Sequence, residues 1–465
     1  MKAVENADAM EEVPPEIMRA EELRLKGELD EALKVTLSYL NNHYEHVPSL
    51  VMAAHILADA RKLGLAQALL KLCTKLRPDS SLVWSDLGFC YQEGTDEKEG
   101  EACFIKALQR NPNSAIALNN LSQLYVNTGQ PMKAINCADK AIRLDKNLTD
   151  APYNRGLANL QLGNWEEGWK GYEINLGRHK WRKERLYGIT PRWTGVNGLK
   201  IIAYGEQGIG DEISFASCIP DLMKENEVII ECDSRLQGLF ARSFGCKTYG
   251  TRFHDKISWP LEHEPDASVA FGSLPGFYRK KDEDFPGTPY LKADPERRLM
   301  FRALLDSLGP KKKIGISWQG GLKETGAERR SMLLYDLAPI LRQDATFISL
   351  QYRDPEEVVM LEENHGLKVH HWPWAVQVKD YDQTAALVAE LDLVITVTSA
   401  CVHLSGGLGV PCWAMVPKAP MWRYRLNGSE FLWAKSVKLY RQKTEWVHTI
   451  SEVAHDLREW LKNGS

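Results

Sequence analysis

The chain has 465 residues, which is too long for one hydrophobic core and favours two or three domains. Its apolar fraction of 44% and charged fraction of 26% are ordinary for a globular protein. The formal net charge of −4 and the lack of a long basic run give no support to strong nucleic-acid binding.

The cysteines and the N-terminal residues indicate where the protein is expected to be located. Nine cysteines are scattered without a CxxC pair, which fits a reducing compartment. The first residues are acidic and lack the apolar segment of a signal peptide, and no stretch approaches about 18 uninterrupted apolar residues. We therefore expect a soluble, cytoplasmic protein without a membrane span.

A 34-residue period runs through the first third of the chain, as the spacing of Pro78 and Pro112 shows. The residues in signature positions of a tetratricopeptide repeat between them are Trp84, Leu87, Gly88, Tyr91, Phe104 and Ala107. This register predicts about five helix pairs within residues 1–178. Small residues at the eighth and twentieth positions are expected to let the two helices approach closely, and the proline ends the second helix.

Stacked repeats leave a concave groove that commonly binds an extended peptide. Asp86, Asn120 and Asn154 occupy the sixth position of three successive repeats, a position expected to face this groove. An asparagine amide can both donate to and accept from a peptide backbone, so these residues are candidates for acceptor binding. The alternative interpretation is that asparagine is merely tolerated on a solvated surface.

Residues 179–198 are predicted to be a linker. Its basic run, residues 178–185, contains Trp181 and suggests contact with a phosphate or an acceptor. The alternative is a solvated helix face with one buried aromatic side chain.

After residue 198, apolar runs alternate with amphipathic segments. Strands are predicted at 199–204, 227–231, 267–271, 313–318, 346–351, 392–397 and 411–416. Helices are predicted near 211–224, 234–244, 334–342, 383–391 and 401–408. This alternation predicts parallel sheets covered on both faces, in two Rossmann-like lobes at 199–308 and 309–465. Ligands are then expected at the carboxyl ends of the strands.

The first candidate site follows the strand at 199–204. Residues 205–212 read Gly-Glu-Gln-Gly-Ile-Gly-Asp-Glu, and Gly208 and Gly210 allow a tight turn and close approach of a ligand. The following helix start offers free N–H groups and a positive dipole end. Asp211 is either a helix cap or a general base that takes a proton from an incoming hydroxyl group.

Two further candidates lie at the ends of later strands. Residues 398–400 (Thr-Ser-Ala) make a turn before a helix, whose start suits a pyrophosphate, and His403 lies on its first turn. Gln319, Lys323, Arg329 and Arg330 follow another strand, and the three cations can offset negative charge on a ligand. The alternatives are a structural histidine and a solvated loop.

A metal site is not indicated by the sequence. The Asp-Tyr-Asp stretch at 380–382 resembles the DxD site of some sugar transferases, but it directly precedes a helix, so Asp382 is more simply a cap. No histidine or cysteine cluster has metal-ligand spacing, so neither a metal nor another cofactor is expected.

The second region resembles bacterial GT-B glycosyltransferases of the lipopolysaccharide heptosyltransferase type, in the subgroup fused to tetratricopeptide repeats. The matching stretches are residues 193–195, 205–212, 315–318, 329–331, 349–351 and 400–411. The order of repeats followed by GT-B lobes is also similar to that of protein O-GlcNAc transferase. The expected fold is therefore an α-solenoid followed by α/β double Rossmann lobes of the GT-B type.

This resemblance implies metal-independent, inverting transfer of a sugar from a nucleotide-sugar donor bound on the C-terminal lobe. The base would be Asp211, and the donor would meet Ser399, Ala400 and His403, with Lys323 or Arg330 near its phosphates. The family usually has Asp-Thr where this chain has Thr398 and Ser399.

Two hypotheses about function follow. The first is a glycosyltransferase whose repeat array presents a peptide, protein or glycan acceptor. The second is a non-catalytic repeat scaffold with a degenerate nucleotide-sugar-binding domain, which the Thr398 departure favours. Transfer onto a modified nucleic acid is not favoured, because the chain has no basic face beyond the run at 178–185.

Overall fold

The structure is a computed structural model that describes residues 13–178, 182–321, 326–352, 356–376 and 379–463. It divides into two compact units, Met1–Asn159 and Leu160–Ser465. As the sequence predicts, a helical repeat array is followed by two parallel α/β sheets, consistent with Rossmann-like lobes. None of the helices in the described ranges combines the length and apolar composition needed to span a membrane.

The first unit is built from successive helix pairs followed by most of one more helix, which extends a few residues past Asn159. Their bounds are α1 Pro15–Leu25, α2 Leu29–Leu40, α3 Val47–Asp59, α4 Leu63–Leu76, α5 Ser81–Glu93, α6 Glu97–Arg110, α7 Ala115–Asn127, α8 Pro131–Leu144 and α9 Asp150–Leu162. The period also fixes the caps, since Ser80 and Ser114 accept from the N–H groups of Val83 and Ala117 to start α5 and α7.

The small residues predicted at the eighth and twentieth repeat positions do bring two helices into close contact. A Cβ atom added to Gly88 of α5 would lie 2.8 Å from the Phe104 ring and 3.1 Å from the carbonyl oxygen of Gly100. One added to Gly100 of α6 would lie 3.2 Å from the carbonyl oxygen of Gly88. The α5–α6 pair therefore has no room for a branched side chain at either position.

We expect Gly88→Val to lower the free energy of unfolding by about 1–3 kcal/mol, because it overpacks the α5–α6 contact. Gly64→Ala is the matched control: nothing lies within 4 Å of a Cβ at this helical glycine, so it should be neutral or slightly stabilising. Urea unfolding followed by circular dichroism measures both. Equal stability of the two variants would contradict the close approach.

The second unit contains two sheets in which every described strand pair is parallel. The first has the order β3-β2-β1-β4 and the second the order β10-β9-β8-β5-β6-β7. The strands are β1 Lys200–Tyr204, β2 Glu227–Glu231, β3 Thr248–Tyr249, β4 Ala267–Ala270, β5 Lys313–Ser317, β6 Thr346–Ser349, β7 Val369–His370, β8 Leu393–Val397, β9 Cys412–Val416 and β10 Val437–Arg441. All seven predicted strands are confirmed within one or two residues, and β3, β7 and β10 are additional.

Helices surround these sheets. They are α10 Trp165–Glu173, α11 Ile209–Ala216, α12 Ile219–Leu222, α13 Gln237–Phe244, α14 Trp259–His263, α15 Leu274–Tyr278, α16 Pro295–Asp306, α17 Ala338–Leu341, α18 Glu356–His365, α19 Tyr381–Val388, α20 Ala400–Leu408 and α21 Trp446–Asn463. The predicted continuous helix at 211–224 is wrong: α11 ends and α12 begins anew, with Pro220 in its first turn. Proline lacks the N–H that a continuous helix needs there.

Helix α10 continues the series of repeat helices, yet it belongs to the second unit. Its Trp165 ring lies 4.8 Å from that of Phe285, and its Trp169 ring lies 5.2 Å from that of Trp422. The Trp169 indole N–H also donates to the carbonyl oxygen of Arg279 at 2.6 Å. These aromatic contacts join α10 to the α/β part of the chain.

Candidate functional site

The order of the strands locates the crevices at which a parallel sheet binds ligands. In the first sheet, β2 and β3 lie on one side of β1 and β4 lies on its other side. In the second sheet, β6 and β7 lie on one side of β5 and β8 lies on its other side. Such switch points leave a crevice at the carboxyl ends of the two strands. The three predicted glycine- and hydroxyl-rich loops follow β1, β5 and β8, so all three lie at these crevices.

Asp211 lies in the first turn of α11, and its carboxylate contacts two residues. Its Oδ2 accepts from the N–H of Gly208 at 3.2 Å, so the capping interpretation is correct. Its Oδ1 lies 2.5 Å from Nη2 of Arg423, a residue of the C-terminal lobe. The carboxylate is 28% exposed, so it is both anchored and accessible to a ligand.

The starts of α11 and α20 meet where Gly210 faces Ala400 and His403. A Cβ atom on Gly210 would lie 3.3 Å from Cα of Ala400 and 3.6 Å from Cδ2 of His403. Glycine at 210 therefore permits the contact between the two lobes. Gly208, Gly210, Asp211, Ala400 and His403, predicted separately from the sequence, lie together.

The loops after β5 and β8 are also in contact. Arg330 donates from Nε to the carbonyl oxygen of Gly320 at 3.0 Å, and a Cβ on Gly320 would lie 3.1 Å from the carbonyl oxygen of Thr398. Ser399 caps α20 by accepting from the N–H of Cys401 at 3.2 Å. Gln319 instead directs its amide to Glu357, donating to Oε1 at 3.0 Å.

Lys323 lies outside the described residues. Among the described residues, no group of three or more histidine, cysteine, aspartate or glutamate side chains is arranged to hold a metal ion.

His403 is buried and uncharged at neutral pH. Burial, with a smaller contribution from the positive charge of Arg423, lowers the pKa of His403 to about 3. Its Nε2 lies 3.5 Å from the hydroxyl group of Tyr424. A neutral imidazole at a helix start can donate a hydrogen bond to a ligand oxygen without adding a full charge.

Arg423 is the site residue that sequence reasoning missed. It follows β9 in a Trp-Arg-Tyr-Arg stretch, is 4% exposed, and lies over the rings of Phe215 and Trp422 at 4.7 and 4.5 Å. The position of this stretch after a predicted strand of the second sheet was the available signal. Its approach to Asp211 depends on a short 3-10 helix at Trp422–Tyr424 after β9, which no pattern in the sequence indicates.

Glu212, next to Asp211, is fully buried beneath the loop. It accepts from the N–H of Asp233 at 3.0 Å and pairs with Arg252, and a Cβ on Gly205 would overlap its carboxyl group. Burial raises the pKa of Glu212 to about 7, and the positive charge of Arg252 opposes this rise. Glycine is therefore required at 205 by the carboxyl group of Glu212 beneath the loop.

This raised pKa predicts a pH-dependent stability. Between about pH 4.5 and 7 the folded chain keeps a proton on Glu212 that the unfolded chain releases, so its contribution to the free energy of unfolding falls as pH rises. Glu212→Gln should gain stability relative to the wild type across this window, on the order of 1–3 kcal/mol. Urea midpoints at pH 5, 6, 7 and 8 measure it. The exposed Glu227→Gln is the control, and a pH-independent difference for Glu212→Gln would contradict the assignment.

Asp86, Asn120 and Asn154, the candidates for binding an acceptor, each contact the preceding repeat. The amide of Asn120 donates to the hydroxyl of Ser85 at 3.2 Å, that of Asn154 donates to Oδ1 of Asn119 at 3.0 Å, and Asp86 Oδ2 lies 3.3 Å from Nε2 of His55. Asn154 is buried. These side chains link successive repeats, and a role in acceptor binding stays a prediction.

The basic run after the repeats is not helical where it is described, and its side chains differ in exposure: Arg178 and Lys183 are exposed, whereas Arg182 is buried. Arg182 is 1% exposed and donates to Glu206, to the carbonyl oxygen of Tyr172 and to the hydroxyl of Ser273. Glu206 is the second residue of the loop after β1. The prediction of a solvated helix face is therefore wrong for Arg182, which ties this loop to α10; Trp181 lies outside the described residues.

A cavity of about 350 Å³ opens at the crevice between β1 and β4. Its walls include Tyr204 and Ala270 at the strand ends, Trp169 of α10, and Trp193 and Phe277, whose rings are 4.5 Å apart. The cavity therefore lies at the switch point of the first sheet, on the side that faces α10.

The chain is similar to known proteins in its repeat region and along most of its length. A family model for the tetratricopeptide repeat matches residues 103–136. The chain is 28% identical over 445 residues to Protein FlbA of Caulobacter vibrioides, covering 83% of this chain and 74% of that protein. Crystal structures of MamA and of YrrB, described as a TPR protein with an unusual peptide-binding site, align with TM-scores of 0.29 and 0.27. The MamA structure is 22% identical and covers 34% of this chain and 87% of its own chain. The YrrB structure is 18% identical and covers 37% of this chain and 90% of its own chain. The chain thus carries an N-terminal tetratricopeptide-repeat region and is distantly homologous to Protein FlbA.

Proposed function

We propose that the protein is a glycosyltransferase that moves a sugar from a nucleotide-sugar donor to an acceptor hydroxyl group, with inversion and without a metal. The observation that carries this proposal is the ion pair between Asp211 of one lobe and Arg423 of the other, next to the contact of Gly210 with Ala400 and His403 at the facing starts of α11 and α20. This arrangement supplies a carboxylate that can accept a proton and, in Arg423, a positive group for a leaving diphosphate. The resemblance to GT-B glycosyltransferases supports the same assignment.

In the proposed reaction, Asp211 takes the proton of the acceptor hydroxyl group as its oxygen attacks the anomeric carbon. The bond from that carbon to the diphosphate oxygen breaks, and the nucleoside diphosphate leaves with the electron pair. The start of α20 at Ser399 and Ala400 is suited to hold the diphosphate, because the positive end of the helix dipole favours an anion. The guanidinium group of Arg330 adds positive charge nearby.

We further propose that the acceptor is a peptide or protein. The repeat region supports this assignment, because arrays of this kind commonly bind extended peptide. The cavity beside α10 offers aromatic walls that suit an acceptor side chain, at the same strand ends as the loop that carries Asp211.

The test is incubation of the purified full chain with UDP-, GDP- and ADP-sugars in the presence of EDTA. Release of nucleoside diphosphate from one donor, and its acceleration by an acceptor peptide, would support the proposal. Thermal shift with the same donors tests the alternative of a non-catalytic scaffold, which the replacement of the usual aspartate by Thr398 favours. A donor that raises the melting temperature but is never cleaved would identify such a scaffold.

A further inference from the structure

We propose that Arg423 is shared between Asp211 and the donor diphosphate, so that the base is masked until the donor binds. Without donor, Arg423 holds the carboxylate of Asp211. With donor, its guanidinium turns to the diphosphate and leaves Asp211 free to accept a proton. This inference rests on the proposed function and adds an order of binding to it, donor first and acceptor second.

The hydrogen bonding of Arg423 supports the proposal that it can exchange Asp211 for a diphosphate. Its Nε and Nη2 atoms are buried and make no hydrogen bond to any described residue, although Nη2 lies 2.5 Å from Oδ1 of Asp211. The pair thus has the distance of an ion pair without the alignment of a hydrogen bond. Buried donors left in this way are costly, and a ligand that aligns with them is favoured.

The aromatic contacts of Arg423 stabilise its charge and leave its Nε and Nη2 atoms without a hydrogen-bond partner among the described residues. The guanidinium lies over the rings of Phe215 and Trp422, which stabilise its charge through its flat faces. The N–H groups lie in the plane of the guanidinium and match the two oxygens of a phosphate. Phe215 stands four residues after Asp211 on α11, so one helix carries both the ring and the carboxylate.

The charges of the site favour a further anion. Arg330 is also buried. Burial lowers the pKa of Arg330, and the negative charge of Asp211 opposes this change. Burial raises the pKa of Tyr424, and the positive charges of Arg423 and Arg330 oppose this rise, so these groups interact. His403 beside them is neutral because its pKa is about 3. Asp211 carries one negative charge against two guanidinium charges, so the cluster favours a further anion.

The experiment is calorimetric titration of the full chain with UDP, GDP, ADP and inorganic pyrophosphate in EDTA. We expect Asp211→Asn to bind the preferred diphosphate about tenfold more tightly than the wild type, because Arg423 no longer has a competing carboxylate. Arg423→Met should bind it at least about tenfold more weakly. The double variant should match Arg423→Met, because the gain from Asp211→Asn acts through Arg423.

Matched variants separate this effect from misfolding. Asp336 accepts from the N–H of Leu333 at 2.9 Å, as Asp211 does from Gly208, so Asp336→Asn should leave affinity unchanged. Arg423→Lys keeps the charge and should retain part of the affinity if Arg423→Met is unstable. The inference would be overturned if Asp211→Asn bound the diphosphate no more tightly than the wild type, or if the double variant kept the increased affinity of Asp211→Asn. Donor cleavage by the wild type would, in that case, still support the proposed function. Absence of diphosphate binding in both the wild type and Asp211→Asn would overturn both.

Discussion

Asp211→Asn is expected to lower the rate of sugar transfer by about 10²- to 10⁴-fold, the usual contribution of a positioned general base. Asparagine keeps an oxygen that can accept from the N–H of Gly208, so the start of α11 should stay capped. The amide cannot take the proton of the acceptor hydroxyl group. Initial rates with donor and acceptor measure the loss, and circular dichroism shows whether the fold is kept.

Asp336→Asn is again the matched control, since it alters a cap of the same geometry away from Asp211 and should leave the rate unchanged. Full transfer by Asp211→Asn would mean that another group is the base. The two readouts on Asp211→Asn are opposite in sign, because transfer falls while diphosphate affinity rises. General damage to the site would lower both.

Arg182→Met is expected to lower the free energy of unfolding by about 3–5 kcal/mol, because it leaves the carboxylate of Glu206 buried without its cation. Arg182 and Glu206 are 1% and 3% exposed. The change also removes a hydrogen bond to the carbonyl oxygen of Tyr172 in α10. Thermal and urea unfolding measure the loss.

Arg192→Met is the control, because the Arg192–Glu184 pair is partly solvated and such pairs contribute at most about 1 kcal/mol. Adding Glu206→Gln to Arg182→Met should restore part of the stability, since no uncompensated charge then stays buried. Equal losses for Arg182→Met and Arg192→Met would show that the buried pair contributes little.

Much of the candidate site could be predicted because parallel sheets align the ends of their strands. Asp211 and His403 lie 192 residues apart, yet each follows a recognisable apolar strand, and the switch points bring both loops to facing crevices. Arg423 could not be found in this way. It lies in a three-residue 3-10 helix, Trp422–Tyr424, which is too short to leave a periodic pattern, and its position depends on packing against Phe215 and Trp422.

Other features depended on contacts that a local pattern does not contain. Strands β3 and β7 have two residues each, too few to show alternation. The repeat period placed Asn154 correctly on the first helix of a pair, but the period does not specify that its amide is bonded to Asn119. In the same way, the sequence showed a charged run at 178–185 but not that Arg182 is buried against Glu206.

The contacts of α10 bear on how such a chain can be recombined during evolution. Trp165 and Trp169 pack on Phe285 and Trp422. Replacement of the whole repeat array including α10 would therefore remove the aromatic contacts of Phe285 and Trp422 with this helix. Arg182 would lose a hydrogen-bond acceptor on the same helix. Successful exchange of repeats should therefore keep α10 with the lobes that follow and vary the helices before it. Under the proposed function, such exchange would vary the acceptor bound by the upstream repeats and leave the residues around Asp211 unchanged.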